Sequence, residues 1–181
     1  MSAVARTGVR PGRVLITEDE LRSRVAELGE VISRDYTGQT PILVGILQGA
    51  FIFMADLVRA ISIDVTTDFI GLASYESGTR PSGVVRLLSD LSMPIDGRHV
   101  IIVEDIVDTG LTISYLKRML HARHPASIRV CVLLDKIERR EVEVDIDYIG
   151  FTIPNVFVVG YGFDHGGIYR NVPYVAALDD V

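Results

Sequence analysis

Cysteine occurs once, as Cys131, so no intrachain disulfide can form. It sits in the apolar run 130–134, where a small core side chain is expected rather than a nucleophile. Lysine is almost missing: of 18 basic residues only Lys117 and Lys136 are lysines, which makes the position of each worth a question. Positive charge is in deficit overall. A net charge of −6 argues against a nucleic-acid binder living on bulk electrostatics, though not against a local basic patch. No apolar stretch reaches membrane-spanning length. Arg6, Arg10 and Arg13 are followed by no hydrophobic segment, so the N-terminus does not read as a secretory signal. There is no internal repeat and no Walker A pattern. The expectation is a cytoplasmic protein that binds neither membrane nor nucleic acid.

What remains is a chain of 181 residues, 48% hydrophobic and 23% charged, which suits one α/β domain over 1–181 with a proper core. Residues 1–13 show no period and read as a flexible arm. Thr17 and Glu20 fit a capping box, and Leu21, Val25, Leu28 and Ile32 follow as one helical stripe that should stop near Gly38. Residues 42–47 form a strand. Gln48, Gly49 and Ala50 then turn the chain into a helix with Phe51, Met54, Leu57 and Val58 inward. Residues 63–73 form a longer strand. Residues 74–83 are dense in loop formers and connect to a strand at 84–88; ten residues is long for a hairpin connection and suits a lid. A strand at 128–134 ends on Asp135 and Lys136, where ligand sites of α/β folds lie. Residues 138–143 read as a solvated charge run. Beyond Asp145 the apolar pieces 148–151, 156–159 and 175–178 read as a small hood, so 145–181 should supply most of it. His121 and His124 lack a metal-binding pattern and read as helix-end residues.

The chain is organised around residues 100–112, Val-Ile-Ile-Val-Glu-Asp-Ile-Val-Asp-Thr-Gly-Leu-Thr. The apolar run 100–103 is that of a strand buried on both faces of a parallel sheet. A turn with glycine and two hydroxyls at a helix start gathers N–H groups on one point, which is an anion site, and Thr109 and Thr112 add donors. Asp108 would be repelled by such an anion. One reason for its presence is that it points away and accepts a proton from a second substrate; the plain alternative is an ordinary strand–turn–helix with solvated acids at its rim. Glu104 and Asp105, expected where the strand gives way to a loop, can accept from sugar hydroxyls or contact Mg²⁺ through water.

This motif resembles the phosphoribosyl-pyrophosphate motif of the type I phosphoribosyltransferases. The Glu104–Asp105 pair is similar to the hypoxanthine-guanine branch. The resemblance covers nearly everything from Thr17 onward and implies the family's fold, a mainly parallel sheet flanked by helices under a small hood. It implies transfer of phosphoribose from phosphoribosyl pyrophosphate to N9 of hypoxanthine or guanine, with Mg²⁺, in a homodimer or homotetramer. It assigns the 5′-phosphate to Asp108, Thr109, Gly110, Leu111 and Thr112, with Asp108 also the catalytic base, and ribose and magnesium to Glu104 and Asp105. Pyrophosphate falls to Gln48, Gly49 and Arg170, where the family commonly has lysine rather than Gln48. The purine falls to Lys136 at its C6 oxygen, Phe157 on the ring face, Val158 at the base edge, and Asp164, which is also a metal contact. Ser74 and Tyr75 resemble the mobile lid. Two alternatives stand beside this reading. One is a xanthine-preferring transferase. The other is a non-catalytic regulator of the same fold; Asp108 and the acidic charge argue against it.

Overall fold

The computed structural model describes residues 11–77 and 80–178. Helix α1 (Glu18–Asp35) starts at the expected capping box. Glu20 N–H donates to Thr17 Oγ1 at 3.3 Å, and Thr17 N–H donates back to Glu20 Oε2 at 2.8 Å. The hydrogen bonds from Thr17 hold the Glu20 carboxyl below its ordinary pKa. Leu21, Val25, Leu28 and Ile32 are all buried.

Strands β2 (Ile42–Leu47), β3 (Thr66–Ser77), β4 (Arg80–Ser89), β5 (His99–Val107), β6 (Ser127–Asp135) and β7 (Tyr148–Thr152) form one sheet, ordered β4-β3-β2-β5-β6-β7. Every pairing is parallel except β3 with β4. Helix α2 (Phe51–Ala60) follows β2, and α3 (Leu111–His121) follows β5. Val100, Ile101, Ile102 and Val103 are completely buried, two on each face of the central strand. One pair joins the core under α1 and α2, the other the core under α3. Because β2, β5 and β6 are parallel, their carboxyl ends reach one edge of the sheet. Gln48, Asp108 and Lys136 each lie just past one of those ends. At the other edge Arg129 pairs with Asp35 at 2.6 Å, and Tyr148 Oη donates to Asp35 Oδ2 at 2.9 Å, which ties the end of α1 to β6 and β7.

Four sequence expectations change. Glu104 and Asp105 are in β5 rather than in a loop beyond it. The ladder to β6 continues to Val107 opposite Asp135, so pairing outlasts the apolar run. The supposed ten-residue loop 74–83 is mostly hairpin: Ser77 pairs with Arg80 and Glu76 with Pro81. Proline is admissible there because β4 is an edge strand. The side chains of Ser74 and Tyr75, assigned to the lid, lie outside the described residues, as do residues 78–79 and the first ten residues of the expected arm. The last of that arm is tied down: Gly12 N–H donates to Ala177 O at 2.8 Å, and Ala177 N–H donates to Arg13 O at 2.9 Å. Residues 148–152 extend the main sheet instead of the hood, since β7 lies parallel to β6. The hood sheet is β1 (Val14–Ile16), β9 (Val175–Ala177) and β8 (Val158–Val159), so one of its two outer strands comes from outside 145–181. Cys131 is buried, and burial pushes its thiol pKa far up, as expected of a core residue.

Candidate active site

The turn from β5 into α3 has the form of an anion cradle. Gly110 caps α3 in the left-handed region (φ 86°, ψ −9°) and has no side chain with which to cap the first N–H groups of the helix. Leu111 N–H makes only a long contact, 3.4 Å, to Thr109 Oγ1. A cavity of about 80 Å³ opens here, walled by Glu104, Val107, Asp108, Thr109, Gly110 and Thr112. N–H donors, two hydroxyls and the positive end of the α3 dipole thus share one small space.

Beside it stand the two acids. Glu104 is buried and its Oε2 has no hydrogen-bond partner. Burial, then the neighbouring Asp105 charge, raises the Glu104 pKa well above the carboxylate range. Burial raises Asp105 as well. Hydrogen bonds from Glu104 and from backbone N–H groups oppose it, and so does the charge of Arg170.

Residues far apart in sequence close the site on the acids. A Cβ on Gly49 would stand 1.7 Å from Asp105 Oδ2, so the turn after β2 lies directly on this carboxylate and admits no side chain. A Cβ on Gly162 would meet Gly49 O at 2.3 Å. Arg170 Nη1 donates to Gly162 O at 2.5 Å, and its Nη2 pairs with Asp164 Oδ1 at 2.6 Å. Gly49, Asp105, Gly162, Asp164 and Arg170 therefore form one group. Gln48, by contrast, is exposed.

Glu104 and Asp105 fit a magnesium ion. They are hard oxygen donors, and Glu104 Oε2 is a buried oxygen with nothing bound to it. Mg²⁺ is commonly held by one or two carboxylates completed by substrate oxygens and water. Among the described residues no three acids, histidines or cysteines converge as a metal cage, so substrate oxygens and water would complete the shell. Asp164 is oriented by Arg170 and by Gly167 N–H, which donates to its Oδ2 at 2.7 Å. Its side chain is paired with Arg170.

Lys136 is buried just past β6, its N–H donating to Val107 O at 3.0 Å. Burial lowers its pKa; the Asp108 charge opposes this and the Arg139 charge adds to it. Phe157 is 45% exposed, so it is no core aromatic and a ring face is available. His165 meets its ring edge-on at 5.7 Å. Val158 is buried in β8. Ile153 N–H donates to Asp135 O at 3.0 Å, which ties the segment leading to Phe157 to the strand end that carries Lys136.

The sequence reading missed residues 139–142, taken for solvated charges. They form a saddle over the phosphate turn. Glu141 and Val142 N–H donate to Thr109 O at 3.0 and 3.1 Å. Arg140 pairs with buried Asp135, and its Nη1 is buried without a partner. Arg139 Nε stands 3.1 Å from Asp108 Oδ1, close enough for an ion pair but without hydrogen-bond geometry, so that oxygen has no donor. Two adjacent arginines three and four residues past Lys136 were the available signal.

A larger groove of about 600 Å³ between α1, α2 and the hood, lined by Leu21, Val25, Asp56, Arg59, Tyr161 and Pro173, contains none of these groups.

A family model described as the phosphoribosyl transferase domain matches residues 17–165. The hypoxanthine-guanine phosphoribosyltransferase of Mycobacterium avium is 50% identical over 172 residues, covering 92% of this chain and 85% of the relative. That of Streptococcus pneumoniae is 47% identical, covering 93% of each. Among solved structures, a hypoxanthine-guanine phosphoribosyltransferase from Bacillus anthracis superposes with TM-score 0.89 at 44% identity, covering 93% of this chain and 99% of that one. A hypoxanthine phosphoribosyltransferase from Staphylococcus aureus gives TM-score 0.89 at 39% identity, covering 93% and 91%. With its phosphate turn, its acid pair and a match over most of its length, this chain belongs to the phosphoribosyl transferase family.

Proposed function

We propose that the protein transfers 5-phosphoribose from phosphoribosyl pyrophosphate to N9 of hypoxanthine or guanine, giving IMP or GMP and pyrophosphate. One observation carries this most. Val107 pairs with Asp135 across β5 and β6, so the next residue of each strand end, Asp108 and Lys136, flank one space beside the phosphate turn. A proton acceptor and a donor to a carbonyl side by side match N7–H and O6 of a 6-oxopurine. Relatives bearing that substrate name support the assignment.

In this mechanism the α3 N-terminus with Thr109 and Thr112 holds the 5′-phosphate. Glu104 and Asp105 accept from the ribose hydroxyls. Backbone groups at Gly49, with Arg170, receive the pyrophosphate. Phe157 stacks on the base and Val158 offers its backbone to the base edge. As the C1′–oxygen bond to pyrophosphate breaks, C1′ acquires oxocarbenium character, N9 bonds to it, and Asp108 takes the N7 proton. Mg²⁺ held at Glu104 and Asp105 would neutralise charge on the leaving group. The protein contributes mainly positioning and charge stabilisation. A homodimer or homotetramer acting on small molecules in the cytoplasm is the setting we propose. Incubation with phosphoribosyl pyrophosphate, Mg²⁺ and each of four purine bases tests the function: nucleotide should form from hypoxanthine or guanine. Turnover of adenine or xanthine alone would reject it.

Lys136→Ala removes the O6 donor. Its loss should weaken use of hypoxanthine and guanine by about 1–3 kcal/mol while sparing phosphoribosyl pyrophosphate. Steady-state constants for both substrates check this; a collapse in phosphoribosyl-pyrophosphate binding would make the lysine a phosphate ligand.

Gln48→Lys adds a cation beside the pyrophosphate turn. Gln48 is exposed, so the gain is limited to about 1 kcal/mol. The KM for phosphoribosyl pyrophosphate should fall and pyrophosphate inhibition tighten at low ionic strength. The purine KM should stay put. No tightening would show that backbone geometry at Gly49 sets this subsite.

A further inference from the structure

We propose that Arg139 is a positioning residue that pairs with Asp108 and thereby leaves Lys136 free for the exocyclic oxygen of the purine. The inference rests on the roles just given to Asp108 and Lys136. It starts from the single 3₁₀ turn Ile137–Arg139 that follows β6. Arg139 N–H donates to Lys136 O at 3.1 Å, which is the i to i+3 bond of such a turn. Residues three apart in a 3₁₀ turn lie one above the other, so Lys136 and Arg139 share a face. That face looks onto Asp108.

Two cations and one carboxylate therefore occupy the same small space. Arg139 Nε is 3.1 Å from Asp108 Oδ1, whereas Lys136, which feels the Asp108 charge, forms no ion pair within 4.0 Å among the described residues. Buried Asp108 Oδ1 has no hydrogen-bond donor. Without Arg139, Lys136, an ammonium on a flexible stem that already feels this charge, is free to compensate the carboxylate, whereas Arg140 is engaged with Asp135. A Lys136–Asp108 pair would withdraw the O6 donor and occupy the N7 acceptor together. The arginine prevents this. It stands beside Oδ1 as an ion pair, leaves Oδ2 for the proton, and is 41% exposed, so its replacement should not disturb the core.

The test uses the full chain with Arg139→Gln, Arg139→Lys and the double variant Lys136→Met/Arg139→Gln. Arg139→Gln should raise the KM for hypoxanthine about tenfold while that for phosphoribosyl pyrophosphate changes less than about twofold. Arg139→Lys should recover most of the loss, because it restores a cation. In the double variant the glutamine should add nothing to the effect of Lys136→Met, since it acts through that lysine. An unchanged hypoxanthine KM in Arg139→Gln would overturn the proposal. So would an equal rise in both KM values with no rescue by lysine, which is the mark of a merely structural saddle, or additive effects in the double variant. Lys136→Ala separates the two levels. If it leaves hypoxanthine use unchanged, the assignment of the base site fails. If it impairs that use while Arg139→Gln does not, only the role of Arg139 fails.

Discussion

Asp108→Asn should lower kcat by about 10²–10⁴, the usual cost of losing a general acid–base group. Asparagine keeps the size and shape of the side chain and cannot take the N7 proton at any useful pH. Asp108 is well placed for the change to be read cleanly. It belongs to the turn that walls the phosphate cavity, yet the N–H donors of that cavity come from the start of α3 and not from its side chain. Replacing a carboxylate by a neutral amide also removes a repulsion from the 5′-phosphate. The KM for phosphoribosyl pyrophosphate should therefore hold or fall while kcat collapses, the pattern of an interaction made only in the transition state. Steady-state kinetics with calorimetric binding of the same substrate separate the two quantities. An asparagine variant that turns over at the wild-type rate would remove Asp108 from the chemistry.

The part of this site that could be read in advance is contiguous in the chain. An apolar run, two acids, a third acid, a glycine and a hydroxyl follow one another in the order that strand, turn and helix need them, so Asp108 to Thr112 declared a cradle without tertiary information. Lys136 was visible because lysine is scarce and a strand precedes it. What stayed hidden depends on contacts between distant segments. Glu141 and Val142 cap Thr109 from some thirty residues away, and nothing in a run of charged residues tells a saddle from a solvated loop. The pairing of Asp164 with Arg170 is likewise hidden, because it comes about only through the fold of the hood loop. The fold failed to read true where pairing overrides composition. Serine, glycine and proline around residues 74–83 spell a loop, but an antiparallel edge accepts them. The three residues of β1 are too few to carry a period, although Val14 and Ile16 pair with β9. Strand β7 looked like hood because its five residues carry no mark of which sheet they join.

Gly110→Ala should strike the saddle and the cradle together. Gly110 has φ +86°, where an L-residue costs roughly 1–2 kcal/mol. The added Cβ would also stand 2.4 Å from Val142 O and 3.2 Å from Arg140 Cδ. Val142 cannot simply retreat, since its N–H and that of Glu141 both donate to Thr109 O, one residue before the glycine. Either the saddle lifts and Thr109 O loses its donors, or the turn rotates and the first N–H groups of α3 lose their aim. Strain and overpacking together should cost about 2–4 kcal/mol of stability. The KM for phosphoribosyl pyrophosphate should rise about 10–100-fold, because each 1.4 kcal/mol of misdirected phosphate contact is a factor of ten. Gly38→Ala provides the control. Gly38 has φ +77° and nothing within 4 Å of its Cβ position, so it carries the same backbone strain without the clash and away from the site. It should lower the melting temperature modestly and leave both KM values alone. Thermal melts and steady-state kinetics of the two variants, measured well below either melting point, separate strain from misalignment. A Gly110→Ala protein with the wild-type KM for phosphoribosyl pyrophosphate would mean that the amide donors at the start of α3 do not hold the 5′-phosphate.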